Sequence, residues 1–300
     1  MTEASMTVAP VIEVQPKPPT NSIFRHAVYV IADNPVTGLS FALFVLIALC
    51  ALFGPYIVPY DPLASDTSAT LQSPSLRHWF GTDLLGRDIF SRVLAATRLD
   101  FTIAIASVAL VLVMGGLAGI SAGFFGGWTD RIVGRISDTI MAFPLFVLAM
   151  GIVVALGNSV LNIIIATMII NLPFYCRFAR SAVNVRRDLG YVEAARMGGN
   201  GSLMVLLNHI VPNILPPMMV QASLNMGWAI LNAAGLSFIG LGVRPPTPEW
   251  GIMVSEGASY IISGEWWAFM FPGAALVLAV FCFNMLGDGL RDLLDPRKRV

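Results

Sequence analysis

The sequence predicts an all-α integral membrane protein with six transmembrane helices. Hydrophobic residues make up 56% of the chain and charged residues only 12%, with a mean hydropathy of +0.74. A soluble domain covers its surface with roughly 25% charged residues, so this composition leaves a surface that suits lipid. Six stretches, 36–58, 101–123, 139–156, 159–176, 213–239 and 268–287, contain no Asp, Glu, Lys or Arg. A helix needs about 20 mostly apolar residues to cross roughly 30 Å of hydrocarbon, and these stretches are of that order.

Arginine and lysine placement predicts the orientation. With the N-terminus inside, cytoplasmic segments hold Lys17 and Arg25, Arg131 and Arg135, five cations from Arg177 to Arg196, and four from Arg291 onward. The outer segments hold Arg77, Arg87, Arg92, Arg98 and Arg244. Cations concentrate on the cytoplasmic side, so both termini are expected inside.

Residues 1–33 are expected to form a cytoplasmic tail, partly disordered, because 1–22 are polar and carry Pro10, Pro16, Pro18 and Pro19. No short apolar run of signal-peptide length precedes the first span. Residues 34–98 then supply that span and an outer segment. Within it, Leu85, Ile89, Phe90, Val93 and Leu94 share one helical face, while Arg87, Asp88, Ser91 and Arg92 share another. Gly81-Thr82-Asp83 offers a turn and an N-cap for this amphipathic helix, which lies on the outer membrane surface or packs on the bundle end. Residues 99–290 form the membrane core, and 291–300 a cytoplasmic C-terminal tail.

The second span carries Gly115, Gly119 and Gly123, and the four-residue spacing continues to Gly127. Such a strip lets a neighbouring helix approach closely. At the inner end of span three, Asp138 lies near Arg131 and Arg135 in sequence, an arrangement that suggests a structural ion network.

The fifth span places Gln221, Asn225, Trp228 and Asn232 at i, i+4, i+7 and i+11, one polar-aromatic stripe. Neutral amides on a buried face either line a path for a polar solute or join helices by hydrogen bonds. Outside, Pro245 to Trp250 forms a proline-rich loop in which Arg244, Glu249 and Trp250 are candidates for contact with an external partner. A simple lid over the bundle is the alternative. Trp266 and Trp267 sit where interfacial aromatics belong.

Several chemistries find no support. The net charge is zero, which argues against a nucleic-acid partner. Cys50, Cys176 and Cys282 lie apart in apolar stretches and read as packing residues, and His26, His78 and His209 occupy separate segments without metal-ligand spacing. Gly119-Ile120-Ser121-Ala122-Gly123 fits the serine-nucleophile pattern only in spelling, since that pattern needs a strand-to-helix turn. The two lysines, Lys17 and Lys298, follow no glycine-rich loop, so no phosphate-cradling motif is present. Uncharged spans disfavour proton coupling, leaving an ion-coupled secondary transporter as the alternative of a different class.

The longest cytoplasmic loop reads as two short helices, Arg186 to about Met197 and Ser202 to Ile210, broken at Gly198, Gly199 and Gly201. Within 186–212, Glu193-Ala194-Ala195, Gly199 and Val211-Pro212 resemble the EAA loop of binding-protein-dependent ABC importer permeases. Gly81-Thr82-Asp83 with Gly86-Arg87-Asp88, Leu236 to Gly242, Pro245-Pro246-Thr247-Pro248, Trp250-Gly251 and Gly287-Asp288-Gly289 are similar to the C-type permease subunit of dipeptide, oligopeptide and nickel importers. That resemblance spans about Asn34 to Arg299.

It implies a type I ABC importer permease fold in a bacterial inner membrane. The implied partners are a sister permease, two ABC ATPase subunits or domains, and an extracytoplasmic solute-binding protein, within a lipid bilayer. No cofactor or metal is expected on this chain, which is not itself catalytic; ATP and Mg would sit on the ATPases. By the same resemblance, Glu193 makes polar contacts with the ATPase, Ala194 and Ala195 permit close approach, Gly199 allows the turn, and Pro212 closes the loop. Peptides are the expected cargo, with nickel, glutathione or an oligosaccharide as alternatives.

Overall fold

The computed structural model describes residues 35–294; residues 1–34, with Lys17 and His26, and 295–300, with Lys298, lie outside them, and 291–294, expected in the C-terminal tail, continue the last helix. Among the described residues every regular element is helical. In order they are α1 (Pro35–Ile57), α2 (Ile89–Phe125), α3 (Gly127–Met141), α4 (Leu145–Leu156), α5 (Val160–Arg186), α6 (Gly190–Met197), α7 (Ser202–Val205), α8 (Val211–Phe238), α9 (Trp250–Ala258) and α10 (Trp267–Leu294). A short 3₁₀ turn spans Thr67–Ala69, and Leu206–Ile210 winds as a π-helix between α7 and α8. Five helices are long and apolar enough to cross a membrane, and α3 with α4 makes a sixth only as a bent pair.

The helix α2 is 37 residues long and forms the axis of the bundle. It starts at Asp88, whose carboxylate accepts from the Ser91 backbone N–H at 2.8 Å and its hydroxyl at 2.7 Å. This corrects the expected surface helix and its expected cap at Asp83: residues 89–94 are the first turns of α2. Ile89 and Arg92 are buried there, and Asp88 also pairs with His78 at 2.9 Å.

Gly115, Gly119 and Gly123 face α5. A Cβ at Gly115 would stand 2.8 Å from Tyr175 Cβ, one at Gly123 2.9 Å from the Arg180 carbonyl, and one at Gly119 would overlap the Cys176 carbonyl. Increasing number on α2 meets increasing number on α5, so the two helices run parallel. Gly127 falls outside the strip: it meets nothing and opens α3 with φ +55°.

The third span departs from the expected straight helix over 139–156. Its polar half, α3, meets α4 at 90°, because Pro144 disfavours helical backbone at the residue before it and offers no N–H. The 12 residues of α4 rise only about 18 Å, well short of the hydrocarbon thickness. The expected ion network is also rearranged. Asp138 pairs with Arg177 at 2.9 Å, Asp130 pairs with Arg180 at 2.6 Å, and Arg131 lies over the Trp128 ring. Both carboxylates therefore tie α3 to α5.

Ser121 sits inside α2, where no nucleophile turn exists. Cys176 and Cys282 are buried and Cys50 is half-buried. Trp266 is half-exposed as an interfacial residue would be, whereas Trp267 is buried and donates to the Thr82 carbonyl at 3.3 Å. Trp267 thereby pins the outer segment to α10.

Candidate functional site

At one end of the bundle the chain leaves α5 and builds the loop. Arg187, just past α5, donates to the Gly123 carbonyl at 3.0 Å and holds the loop's root against the end of α2. The helix α6 has no side-chain cap and seats itself through Val192, which is fully buried with Val205, Leu206 and Ile210. The first loop helix is therefore shorter than 186–197, since Arg186 belongs to α5. Glu193 and Ala194 face outward, while Ala195 packs against the apolar cluster beneath.

The turn after α6 depends on Gly199, whose φ of +82° lies in the left-handed region. Its N–H donates to Arg196 O at 3.0 Å, and Asn200 N–H reaches back to Ala195 O at 3.3 Å. These bonds satisfy carbonyls at the helix end. Pro212 is the second residue of α8. The π-stretch Leu206–Ile210 leads directly into it, and the Asn213 amide donates to His209 O at 2.7 Å.

Sequence reasoning missed one feature of this loop. Met197, Leu203, Met204 and Leu207 are all exposed around the glycine turn. Four large apolar residues in an extramembrane loop, clustered on either side of the Gly-rich break, were the available signal. An exposed apolar rim of this kind suits contact with a protein or a membrane.

At mid-depth the structure brings Gln221, Asn225, Trp228 and Asn232 to one cavity of about 620 Å³. Asn171 from α5, Asn284 from α10, Phe146 and Phe174 join them beside Leu145, Ile170 and Leu224, with no charged side chain among the lining residues. Asn171 and Asn232 donate to carbonyls on their own helices at 2.8 and 2.9 Å. Asn225 Nδ2 is buried without a hydrogen-bond partner; the Tyr175 hydroxyl lies beside it without hydrogen-bonding geometry. Among the described residues, Gln221 and Asn232 make no hydrogen bond to a neighbouring helix, and Asn225 lies against Tyr175 of α5.

At the opposite end, Arg244 is exposed but Glu249 and Trp250 are not. Both are removed as external contacts. Glu249 accepts from Gly251 N–H at 2.9 Å and Ile252 N–H at 2.8 Å, capping α9. Its side chain lies beside Asp100, which accepts from Trp250 N–H at 3.2 Å. The Trp250 indole donates to Val93 O at 3.1 Å. The two carboxyls thus satisfy three backbone donors and lock α9 onto α2. Burial, more than any other influence, pushes the Glu249 carboxyl above its ordinary range.

Comparison with known proteins adds the wider frame. Residues 115–300 match the model of the binding-protein-dependent transport system inner membrane component family. Residues 22–74 match the N-terminal transmembrane domain of oligopeptide transport permease C. The chain is 43% identical over 284 residues to a probable D,D-dipeptide transport system permease protein of Escherichia coli K12, covering 95% of both chains. It is 40% identical to a dipeptide transport system permease protein of Alkalihalophilus pseudofirmus, over 93% of this chain and 91% of that one. A nickel transport system permease protein of Escherichia coli K12 is 42% identical over 86% of this chain and 93% of its own length.

Proposed function

The chain belongs to the binding-protein-dependent transport system inner membrane component family, and on that premise we propose that it forms half of the translocation path of an ATP-driven peptide importer. A sister permease supplies the other half. Separate ATPases dock at the loop around Gly199, and a solute-binding protein meets the far end. The cation distribution supports both termini facing the cytoplasm.

One observation carries this reading. The loop's second half and the amide stripe belong to a single helical rod, Ser202–Phe238, of 37 residues. At 1.5 Å per residue that rod is about 55 Å long. A displacement at the glycine turn therefore reaches the cavity without crossing a loop. The π-stretch at Leu206–Ile210 and Pro216-Pro217 give the rod defined places to bend. The exposed rim of Met197, Leu203, Met204 and Leu207 suits a groove on a partner ATPase, with Glu193 and Ala194 beside it. ATP binding then moves the loops and rocks the spans as rigid bodies.

The cavity chemistry supports peptide cargo. Five carboxamides offer donors and acceptors that match peptide groups, and three aromatic rings accept varied side chains. With no lining charge, no solute is held by a strong ion pair, which favours release. Cysteines placed by Gln221→Cys, Asn225→Cys and Asn232→Cys, in a background lacking Cys50, Cys176 and Cys282, are expected to react with a water-soluble thiol reagent. Inertness at all three positions would assign the stripe to helix packing instead.

The function is tested with the assembled complex and its binding protein in proteoliposomes. Dipeptides are expected to stimulate ATP hydrolysis and to be taken up only when ATP is present, regardless of ionophore. Uptake that persists without ATP and collapses with ionophore would make this a secondary transporter. Stimulation by nickel, glutathione or an oligosaccharide, but not by peptides, would reassign the cargo.

A further inference from the structure

A second cavity, of about 300 Å³, lies where the start of α2 meets α9 and α10. Gly123 and Arg180 mark the loop end of the parallel pair α2 and α5, and Arg92 lies 31 positions earlier on α2. That places the cavity about 46 Å along the helix from the loop root, at the opposite end of the bundle. Two of its lining residues are arginines that are almost wholly buried: Arg92 is 1% exposed and Arg87 4%.

Their acceptors are unevenly shared. Arg87 Nε meets Asp83 Oδ2 at 2.6 Å, and the other Asp83 oxygen accepts the backbone N–H groups of Leu85 and Arg87. Asp83 is therefore nearly saturated by its own turn. Arg92 gains one hydrogen bond, from Nη1 to Pro62 O at 3.2 Å. Its Nε lies 3.6 Å from Asp83 and its Nη2 3.6 Å from Glu256 Oε2, and Nη2 is buried without a hydrogen-bond partner. That same Glu256 oxygen also serves Arg87 Nη2 at 3.2 Å.

One carboxylate oxygen thus spans two guanidiniums and satisfies neither fully. A buried guanidinium is costly without acceptors, and its best acceptor is a bidentate carboxylate. Glu256 is also the most exposed charged group of the cluster, with its side chain 36% accessible, so it is the group free to swing out. Leu84, Leu85, Ile89, Met253 and Ala268 give the cavity an apolar wall, with Ser259 and Tyr260 beside it.

We propose that this cavity receives a carboxylate on a short apolar stem, supplied by an acidic side chain of the solute-binding partner, and that Glu256 occupies the position until that partner docks. The socket rests on the permease reading above and gives that reading a defined outer contact in place of Glu249 and Trp250. Opposite charge on the partner speeds encounter, and exclusion of water strengthens the final pair. The free carboxylate of a transported peptide has the same chemistry, and the test separates the two.

The experiment measures binding of the cognate solute-binding protein to the assembled complex in nanodiscs. Glu256→Gln removes the competing carboxylate and is expected to tighten docking about tenfold, as a gain near 1.4 kcal/mol does. Ser259→Trp fills the exposed rim of the cavity and is expected to weaken docking by a similar factor. Unchanged or weaker docking by Glu256→Gln overturns the proposal, whatever Ser259→Trp does. A changed KM for free-acid but not amidated peptides, with docking constant, would assign the socket to the substrate and also overturn it. Wild-type complex that docks its partner but shows no ATP-driven uptake would instead fail the permease reading.

Discussion

A Gly199→Val permease is expected to reach the membrane in normal amount and to lose at least about tenfold of its ATP-driven uptake. A Cβ at Gly199 would meet no atom within 4 Å, so volume is not the reason. The reason is conformation: φ is +82°, and a β-branched residue there costs about 1–3 kcal/mol. The loop escapes that strain by unwinding its turn, which frees the Ala195 and Arg196 carbonyls and re-aims α6. The bundle itself is held by the α2–α5 contacts and by the Val192 cluster, neither of which includes Gly199, so insertion persists. Asn tolerates the left-handed region, and Gly199→Asn is expected to retain most uptake. Membrane content by immunoblot, peptide uptake and ATP hydrolysis are measured together. Normal uptake by Gly199→Val would remove this turn from the coupling pathway; loss of membrane content would make it a folding residue instead.

The sequence carried the span positions well because uninterrupted apolar runs need no periodicity to be recognised. Helices α2 and α10 contain their expected spans, and α1, α5 and α8 cover theirs to within one residue. The third span was not legible, and its proline explains why. Pro173, Pro216, Pro217 and Pro272 also lie in expected spans, and the structure carries them inside α5, α8 and α10 without a right-angle break. Proline in a membrane helix is tolerated when neighbours satisfy the freed carbonyl, so Pro144 alone could not announce a bend. What distinguishes it is the preceding α3, whose charges at Asp130, Arg131, Arg135 and Asp138 leave only a short apolar segment beyond the proline.

The outer end was legible as motif but not as contact. Spacing brought Gly81-Thr82-Asp83, Gly86-Arg87-Asp88 and Trp250-Gly251 to notice. Charged groups outside a span were then expected to face water. Instead Asp88 caps α2, Arg92 is buried between acids, and Glu249 shares an interior site with Asp100, a residue 149 positions away. Only the tertiary fold makes such pairs visible, because each carboxyl or guanidinium reads as solvated until its partner is known. The glycine strip was legible for the opposite reason: its i, i+4 spacing is local, and three of its four members pack as the spacing requires.

Substituting Glu249 is expected to unlock that outer end and to alter how stability responds to pH. Glu249→Leu leaves the Gly251 and Ile252 N–H groups buried without acceptors, a loss of about 2–4 kcal/mol at 1–2 kcal/mol each. Glu249→Gln keeps the shape and one of the two acceptor oxygens, so it removes the titrating proton together with one backbone hydrogen bond. Two buried carboxyls side by side oppose a second negative charge, which favours the protonated form of Glu249. Burial raises the Glu249 carboxyl above its ordinary value of 4.5. Above that value the folded state therefore binds more protons than the unfolded chain. Stability from this group is complete below pH 4.5 and declines as pH rises through the raised folded value. Thermal unfolding of the purified permease between pH 5 and pH 8 (about the range in which a raised carboxyl titrates) is expected to show a midpoint that falls with pH. In Glu249→Gln that slope should flatten, since the pair no longer has a second acid to repel. A wild-type midpoint that rises with pH, or an equal slope in Glu249→Gln, would mean that the pair does not hold its proton in the folded state. The lock between α9 and α2 would then rest on Trp250, whose backbone N–H reaches Asp100 and whose indole reaches Val93 O.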